Sequence, residues 1–307
     1  MKAAFFMKCG GPDVMQYGDL PDPVVGAGEL LVDVRAASVN GADWQVRSGS
    51  YAPVTRFPYV PGRDFSGVVA ALGEGVAEFA VADPVFGVVE PAADGCYAGK
   101  VAIRAAIVAR KPGRISHVEA AALALTGLTA LVSIEDTLEL KPGETILIQG
   151  GAGGVASFAI QLARHIGARV ISTTSAANVE YVRTLGADQV IDYEVQDFAQ
   201  VVSGCDAVFD TVGGDVALRS FAALRPGGRA AFIASGGRAP ASSRPDVRSL
   251  RPDVRRDRPH LERIAALVES GAVRVPEIRT YPLSEAAQAH RVSEGRHFRG
   301  KLVFDIR

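Results

Sequence analysis

Four glycines within five positions carry the first chemical signal: Gln149-Gly150-Gly151-Ala152-Gly153-Gly154-Val155-Ala156. They follow an apolar run, Thr145–Gln149, that reads as a buried strand. They precede Val155–Ile166, whose apolar residues recur with a helical period. Glycine permits the tight turn and lets backbone come close to a diphosphate, and the helix that follows presents unpaired N–H groups and the positive end of its dipole. A strict G-x-G-x-x-G would end on a third glycine; Ala156 stands there and is still small enough for the helix to pack on the strand. Gly151, Ala152, Gly153, Gly154 and Val155 are therefore candidate contacts to a dinucleotide. Which dinucleotide is read about 20 residues later, at the end of the next strand. A site for NAD wants an Asp or Glu there for the ribose 2′-hydroxyl. This chain has Thr173, Thr174 and Ser175, and its first acid is Glu180. Hydroxyls accept a 2′-phosphate where a carboxylate repels it, so NADP(H) is expected, with Thr174 and Ser175 at that end. No Arg or Lys adjoins them; Arg183 is the nearest downstream cation.

The elements that must hold this loop are legible around it. From Glu144 the chain alternates strands (145–149, 168–174, 189–192, 207–211, 229–234) with helices (155–166, 179–185, 216–224), which predicts a parallel, doubly wound sheet. The first 112 residues are different: short β-like runs (30–34, 67–72, 84–89) broken by Gly and Pro, which predict an irregular barrel or curved sheet. Residues 118–137 read as a long apolar helix. Residues 236–259 are rich in Gly, Pro and Arg and read as a surface loop or arm. Helices over 260–270 and 284–294, the second with Ser284 as its N-cap, and a strand over 301–306 complete the chain.

Composition sets bounds on function. The 307 residues are 48% hydrophobic and 22% charged with a net charge of -1. That suits two globular domains and offers no global field for nucleic acid or an anionic membrane. No uninterrupted apolar stretch approaches the roughly 20 residues of a membrane span, and no signal peptide is read at the N-terminus, so a cytoplasmic protein is expected. Cys9, Cys96 and Cys205 are odd in number and far apart, which argues against a disulfide framework. His117, His165, His260, His290 and His297 show no metal-ligand spacing, so no metal is expected.

Several segments together resemble the medium-chain dehydrogenase/reductase superfamily, and within it the zinc-less quinone oxidoreductases. They are ASVNGADWQVRSG (37–49), PGRDFSGVV (61–69), TGLTA (126–130), IQGGAGGVASFAIQLA (148–163), LGADQVIDY (185–193), FDTVGG (209–214) and GKLV (300–303). The resemblance implies an α/β protein with a split, GroES-like irregular β-barrel catalytic domain (1–112 and 257–307). A doubly wound Rossmann domain (113–256) binds NADP(H), and the active site lies in the cleft between the two. Zinc-dependent members would carry ligands at positions 40, 63 and 125; here those are Asn40, Arg63 and Leu125. Without a Lewis acid for an alkoxide, the implied reaction is hydride transfer to a quinone or an α,β-unsaturated carbonyl.

The same resemblance nominates Asn40, Asp43 and Tyr51 for the catalytic side. Asn40 is read either as a donor to the acceptor oxygen or as a residue that orders its loop. Arg63 and Asp64 are expected to form an ion pair, and Tyr51, then Tyr59, to be a proton donor, a substrate lid or packing. Gln45 departs from the Tyr that many quinone oxidoreductases carry. Thr129, Val212, Gly213, Ala234 and Ser235 are expected along the nicotinamide and Tyr193 at the adenosine end. Arg299 and Lys301 are read as cofactor-phosphate partners or surface charges. A homodimer is implied, with 229–234 as the pairing sheet edge. Two other readings stay open: an enoyl-thioester reductase, and an NADPH-binding RNA-binding or sensor protein. The latter rests on eight arginines between Arg238 and Arg263, among which Asp246, Asp253, Asp257 and Glu262 are interleaved.

Overall fold

The computed structural model describes residues 1–306 apart from 52, 92 and 243. The chain divides into two compact units. The first comprises Met1–Leu125, Arg256–Glu269 and Val275–Arg307; the second comprises Thr126–Arg255 and Ser270–Arg274.

The first unit opens with β1 (Lys2–Phe6) and β2 (Met15–Asp19), an antiparallel pair. Then come β3 (Glu29–Val39), α1 (Gly41–Ser48), β4 (Asp64–Leu72), β5 (Pro84–Val88), β6 (Lys100–Arg104) and β7 (Val108–Arg110). Helix α2 (His117–Leu131) continues as a π-helical stretch, Val132–Thr137. The second unit holds β8 (Thr145–Gln149), α3 (Gly154–Ile166), β9 (Arg169–Thr174), α4 (Val179–Thr184) and β10 (Gln189–Asp192). It continues through α5 (Phe198–Val201), β11 (Cys205–Asp210), α6 (Gly214–Ser220), β12 (Leu224–Phe232) and β13 (Arg248–Leu250). The chain then completes the first unit with α7 (Arg258–Glu269), β14 (Ile278–Pro282), α8 (Ala286–Gly295) and β15 (Lys301–Asp305).

In the first unit the main sheet runs β14-β15-β3-β4-β5-β7, with β6 also on β3. Strand β3 makes this possible. Register shifts at Leu31/Val32 and Val34/Ala36 bend it, so its first half pairs with β6 and its last residues with β15. The sequence reading ended this strand at Val34. It runs on because Ala36, Ala37, Ser38 and Val39 are buried on both faces, which erases the alternation that marks a strand. The core gathers Leu30, Val32, Phe65, Tyr97, Ile103 and Phe304.

The second unit has the order β10-β9-β8-β11-β12-β13, every neighbouring pair parallel. Sequence order reverses between β8 and β11, the switch point where such sheets take their ligands. The expected edge strand at 229–234 lies inside the sheet instead. Strand β13, three residues drawn from the stretch read as a loop, pairs with it, and Arg229 is buried against the Glu144 carboxylate. Four arginines of the 236–259 stretch are engaged within the fold. Arg244 donates to Phe221 and Leu224 carbonyls, Arg251 to Phe232, Arg256 to Val89 and Arg258 to Ala105 and Val108.

Two local expectations change. A short 3-10 turn, Leu283–Glu285, precedes α8, so Glu285 rather than Ser284 caps it. The segment His117–Thr137 is long and apolar enough to cross a membrane by length and composition, and 78% of its apolar window is buried inside the protein. It is a core helix whose residues Ala120–Ala124 are fully enclosed.

Candidate functional site

In the second unit the glycine loop leaves β8 at the switch point. Gly150 has φ 76, which favours glycine. The Gly151 N–H donates to the Thr173 carbonyl (2.8 Å), binding the loop to the end of β9. A Cβ on Gly151 would lie 2.3 Å from Ser172 Oγ, so no side chain fits between loop and strand. Gly153 caps α3 in extended conformation, with no side chain over the first turn. The helix starts at Gly154, and Val155 and Ala156 sit in that turn, with Ala156 fully buried against the sheet. Ala152 is buried and shapes the turn. Behind the loop, Gln149 receives the Thr173 hydroxyl on Oε1 (2.6 Å) and donates from Nε2 to Ser220 (3.0 Å). Thr173 is thus part of the support.

Around that loop the other second-unit candidates fall at strand ends. Thr174 closes β9 and is buried, and Ser175 follows it half-buried. Tyr193 follows β10, is exposed, and donates its N–H to the Thr174 carbonyl (3.1 Å). Val212 and Gly213 follow β11, held by Asp210, which accepts from both N–H groups (3.3 and 2.9 Å). A Cβ on Gly213 would meet the Ala234 carbonyl at 2.5 Å, so the segments after β11 and β12 touch there. Ala234 is exposed and Ser235, half-buried, donates to the Arg238 carbonyl. Thr129 is half-buried on α2, its carbonyl accepting from Ser133.

In the first unit β3, β4 and β15 bring a charged cluster together. Asp64 opens β4 fully buried. Its Oδ1 accepts from Ser38 Oγ (2.8 Å) and Asn40 Nδ2 (2.7 Å), and its Oδ2 from the Leu125 N–H (3.1 Å). The amide of Asn40 reaches the other way too: its Oδ1 accepts from Lys301 Nζ (2.7 Å). Lys301 also donates to the Val39 carbonyl (2.9 Å) and is buried. Asn40 therefore bridges an ammonium and a carboxylate, and its N–H donors go to Asp64 and the Ser38 carbonyl, the loop-ordering arrangement. Burial pushes the Asp64 carboxyl up against the opposing pull of Lys301, and pushes the Lys301 ammonium down against Asp64 and Asp43.

Two expectations are corrected here. Lys301 is neither a surface charge nor a phosphate partner but the buried cation of this network, while Arg299 is an ion-pair partner of Glu277 (2.6 Å). Arg63 and Asp64 do not pair: Arg63 donates to Tyr59 Oη (2.8 Å) and the Glu90 carbonyl (2.9 Å). Successive side chains on extended backbone point to opposite faces, which separates the two.

Asp43 lies one turn into α1, fully buried. Its Oδ2 accepts from the Asn40 N–H (2.9 Å) and from Tyr97 Oη (2.9 Å). Desolvation lifts its pKa to about 6, with Arg63 opposing. Below its ordinary value of 3.8 both folded and unfolded chains hold the proton. As pH rises toward about 6 the unfolded chain releases it first, so the fold loses stability, by about 3 kcal/mol once complete. Asp43→Asn cannot ionise. Its stability relative to the parent is expected to rise by roughly that amount between about pH 4 and pH 7, read from urea unfolding at Trp44, the single tryptophan. An offset that stays constant across that range would refute this burial account.

Beside this cluster, Arg47 is buried with Glu294 and with His290 Nδ1 (3.2 Å). Desolvation and Arg47 hold the His290 pKa near about 3, so the ring is neutral and its Nδ1 accepts. Tyr51 stands 55% exposed, on an open recess of about 390 Å³ that Val46, Val54, Thr55 and Tyr59 also line. The sequence reading missed Tyr97, Ser38 and Glu90. The signal for the buried cation was present in Asp43 and Asp64, two acids beside apolar residues that need a positive partner.

A Zn²⁺ ion does not suit these residues. Asn40 is already bracketed by Lys301 and Asp64, Arg63 adds a second buried cation, and Leu125 offers only its N–H. Among the described residues no three His, Cys, Asp or Glu side chains cluster as a metal site. The dinucleotide loop, by contrast, suits a diphosphate, because its glycines leave a cradle that a Cβ would fill.

Comparison with known proteins finds relatives along both units. Residues 26–118 match the alcohol dehydrogenase GroES-like domain, and residues 185–304 match a family described as zinc-binding dehydrogenase. The chloroplastic NADPH-dependent alkenal/one oxidoreductase of Arabidopsis thaliana is 32% identical over 99% of this chain and 79% of its own. The quinone oxidoreductase of Coxiella burnetii superposes with a TM-score of 0.91 at 35% identity, over 100% of this chain and 99% of its own. Escherichia coli quinone oxidoreductase, solved with NADPH, gives 0.89 at 29% identity over 99% and 100%. The chain belongs to the medium-chain dehydrogenase/reductase superfamily, in its quinone oxidoreductase-like branch.

Proposed function

We infer that this protein is an NADPH-dependent reductase that delivers hydride to a quinone or an α,β-unsaturated carbonyl without zinc. The observation that carries this reading is the glycine loop. It stands at the switch point of the β10-β9-β8-β11-β12-β13 sheet, with hydroxyl residues instead of a carboxylate closing β9. NADPH, when bound, supplies the hydride from its nicotinamide ring.

The chain's own residues do the rest. The N–H groups of Ala152, Gly154 and Val155 receive the diphosphate at the start of α3, and Gly151 and Gly153, whose own N–H groups close the loop, leave room for it. Thr174, Ser175 and Tyr193 take the adenosine end, and Thr129, Val212, Gly213, Ala234 and Ser235 the nicotinamide end. Asn40 and Asp43 fix the loop on the acceptor side through Lys301, Asp64 and Tyr97. Orientation of the two partners is the main contribution asked of them. The recess beside Tyr51 seats the acceptor, and the Tyr51 hydroxyl donates a proton to it.

An acceptor panel tests this reading. NADPH consumption is expected with a benzoquinone, a naphthoquinone or a short enone. Tyr51→Phe is expected to slow enone turnover by about ten- to a hundredfold, because carbanion protonation needs an acid. Quinone turnover should change little, since a hydroquinone anion takes its proton from water. Equal rates for parent and variant with the enone would remove Tyr51 from the mechanism.

The protein is also read as a cytoplasmic homodimer. Its three free cysteines support a reducing compartment, and the short outer strand β13 supports edge pairing. Light scattering in solution checks the assembly.

A further inference from the structure

The end of β9 and the end of β10 form one corner, because the strands are parallel with Asp192 opposite Thr174. In a doubly wound sheet the adenosine ribose is read at this corner. The Ser175 hydroxyl accepts from Asn178 Nδ2 (3.0 Å), and the Asn178 N–H donates to the Ser175 carbonyl (2.9 Å), which closes the turn. Into the same turn comes a carboxylate that sequence spacing from the glycine loop does not reveal. Glu194 Oε2 accepts from the Ala176 N–H (3.4 Å), while the Glu194 N–H donates to Asp192 Oδ1 (3.0 Å). The segments 174–183 and 192–194 together hold three acids (Glu180, Asp192, Glu194) and one cation, Arg183. Arg183 is paired with Glu180 at 3.5 Å.

We propose that Glu194 sets the nucleotide preference of this site and makes it accept NADH nearly as well as NADPH. The proposal rests on the reductase reading above. A 2′-phosphate carries close to two negative charges and is held well only by charge-assisted hydrogen bonds from Arg or Lys. Here its nearest ionised neighbours within the corner's own segments are mostly acids. A ribose 2′-hydroxyl, in contrast, is a donor, and the Glu194 carboxylate has lone pairs beyond the one that the Ala176 N–H uses. Hydroxyl groups at 174 and 175 serve either nucleotide. Repulsion at this exposed corner is screened by salt, so the preference is set within a modest range rather than absolutely.

The test is calorimetric titration of the full chain with NADPH, NADH, 2′,5′-ADP and 5′-AMP, at low and high salt. The parent is expected to bind NADPH and NADH within about tenfold of each other. Glu194→Lys is expected to tighten NADPH and 2′,5′-ADP by about tenfold or more at low salt, with NADH and 5′-AMP changing little. Glu194→Gln should move them the same way by less. A parent preference for NADPH beyond about a hundredfold would overturn the proposal. So would a Glu194→Lys variant that shifts both nucleotides equally. Failure of all four ligands to bind would instead remove the dinucleotide reading on which it rests.

Discussion

Gly153→Asp is expected to fold as the parent does and to lose NADPH. Gly153 sits at φ -76, ψ 157, extended backbone that any residue adopts, and a Cβ there would come no closer than 3.4 Å, to the Gly150 carbonyl. Aspartate is a preferred helix N-cap and exceeds glycine there by only about a few tenths of a kcal/mol, so the variant keeps or slightly gains helix stability. Its carboxylate takes the same N–H groups that receive the diphosphate, and it puts like charge on that spot. Two such charges about 4 Å apart at a partly screened site repel by about 4 kcal/mol, near a thousandfold in affinity. Melting temperature at or above the parent's, with NADPH affinity reduced at least a hundredfold by titration, is the expected pair of results. Parent-like affinity would mean that the diphosphate lies elsewhere. Gly151→Ala is the contrasting case. Its Cβ overlaps Ser172 Oγ and crowds Val182 and Ile160, at 3.1 and 3.2 Å, so that variant should lose stability whether or not nucleotide is present.

Lys301→Met should destabilise the first unit by about 3–5 kcal/mol. The side chain fits by length, so the loss is electrostatic. The Asn40 and Val39 oxygens lose their donor, and the buried Asp64 carboxylate loses the ammonium that the Asn40 amide links to it. Adding Asp64→Asn to Lys301→Met should recover part of the loss, because no uncompensated charge then remains buried. Trp44 lies in α1, one turn from Asn40, so urea unfolding followed by its fluorescence reads this unit. An unchanged midpoint for Lys301→Met would show that the network contributes nothing to the fold.

These two variants mark what sequence could and could not reveal. The glycine loop was legible because all of its parts are local: an apolar strand, glycines, then a helical period. The parallel sheet was legible for the same reason, as strand and helix patterns alternate along the second unit. The Lys301 network was not. Its partners are separated by 261 and 24 residues, so no local pattern records them. Adjacent opposite charges at Arg63 and Asp64 suggested a pair, yet the pleat sends them apart. Strand β13 was hidden because three residues carry no periodicity and sit among arginines and prolines. Glu194 escaped attention because the acid was sought at the end of β9, whereas the fold delivers it from the end of β10.

The proposed function makes hydride transfer depend on NADPH held at the glycine loop and not on a metal. It is tested most directly by steady-state NADPH consumption with a quinone and an enone, each measured before and after exhaustive chelation. Turnover of at least one acceptor is expected, at a rate that chelation leaves unchanged. Turnover that disappears on chelation and returns with added zinc would contradict it, as would tight NADPH binding with no reduction of either acceptor.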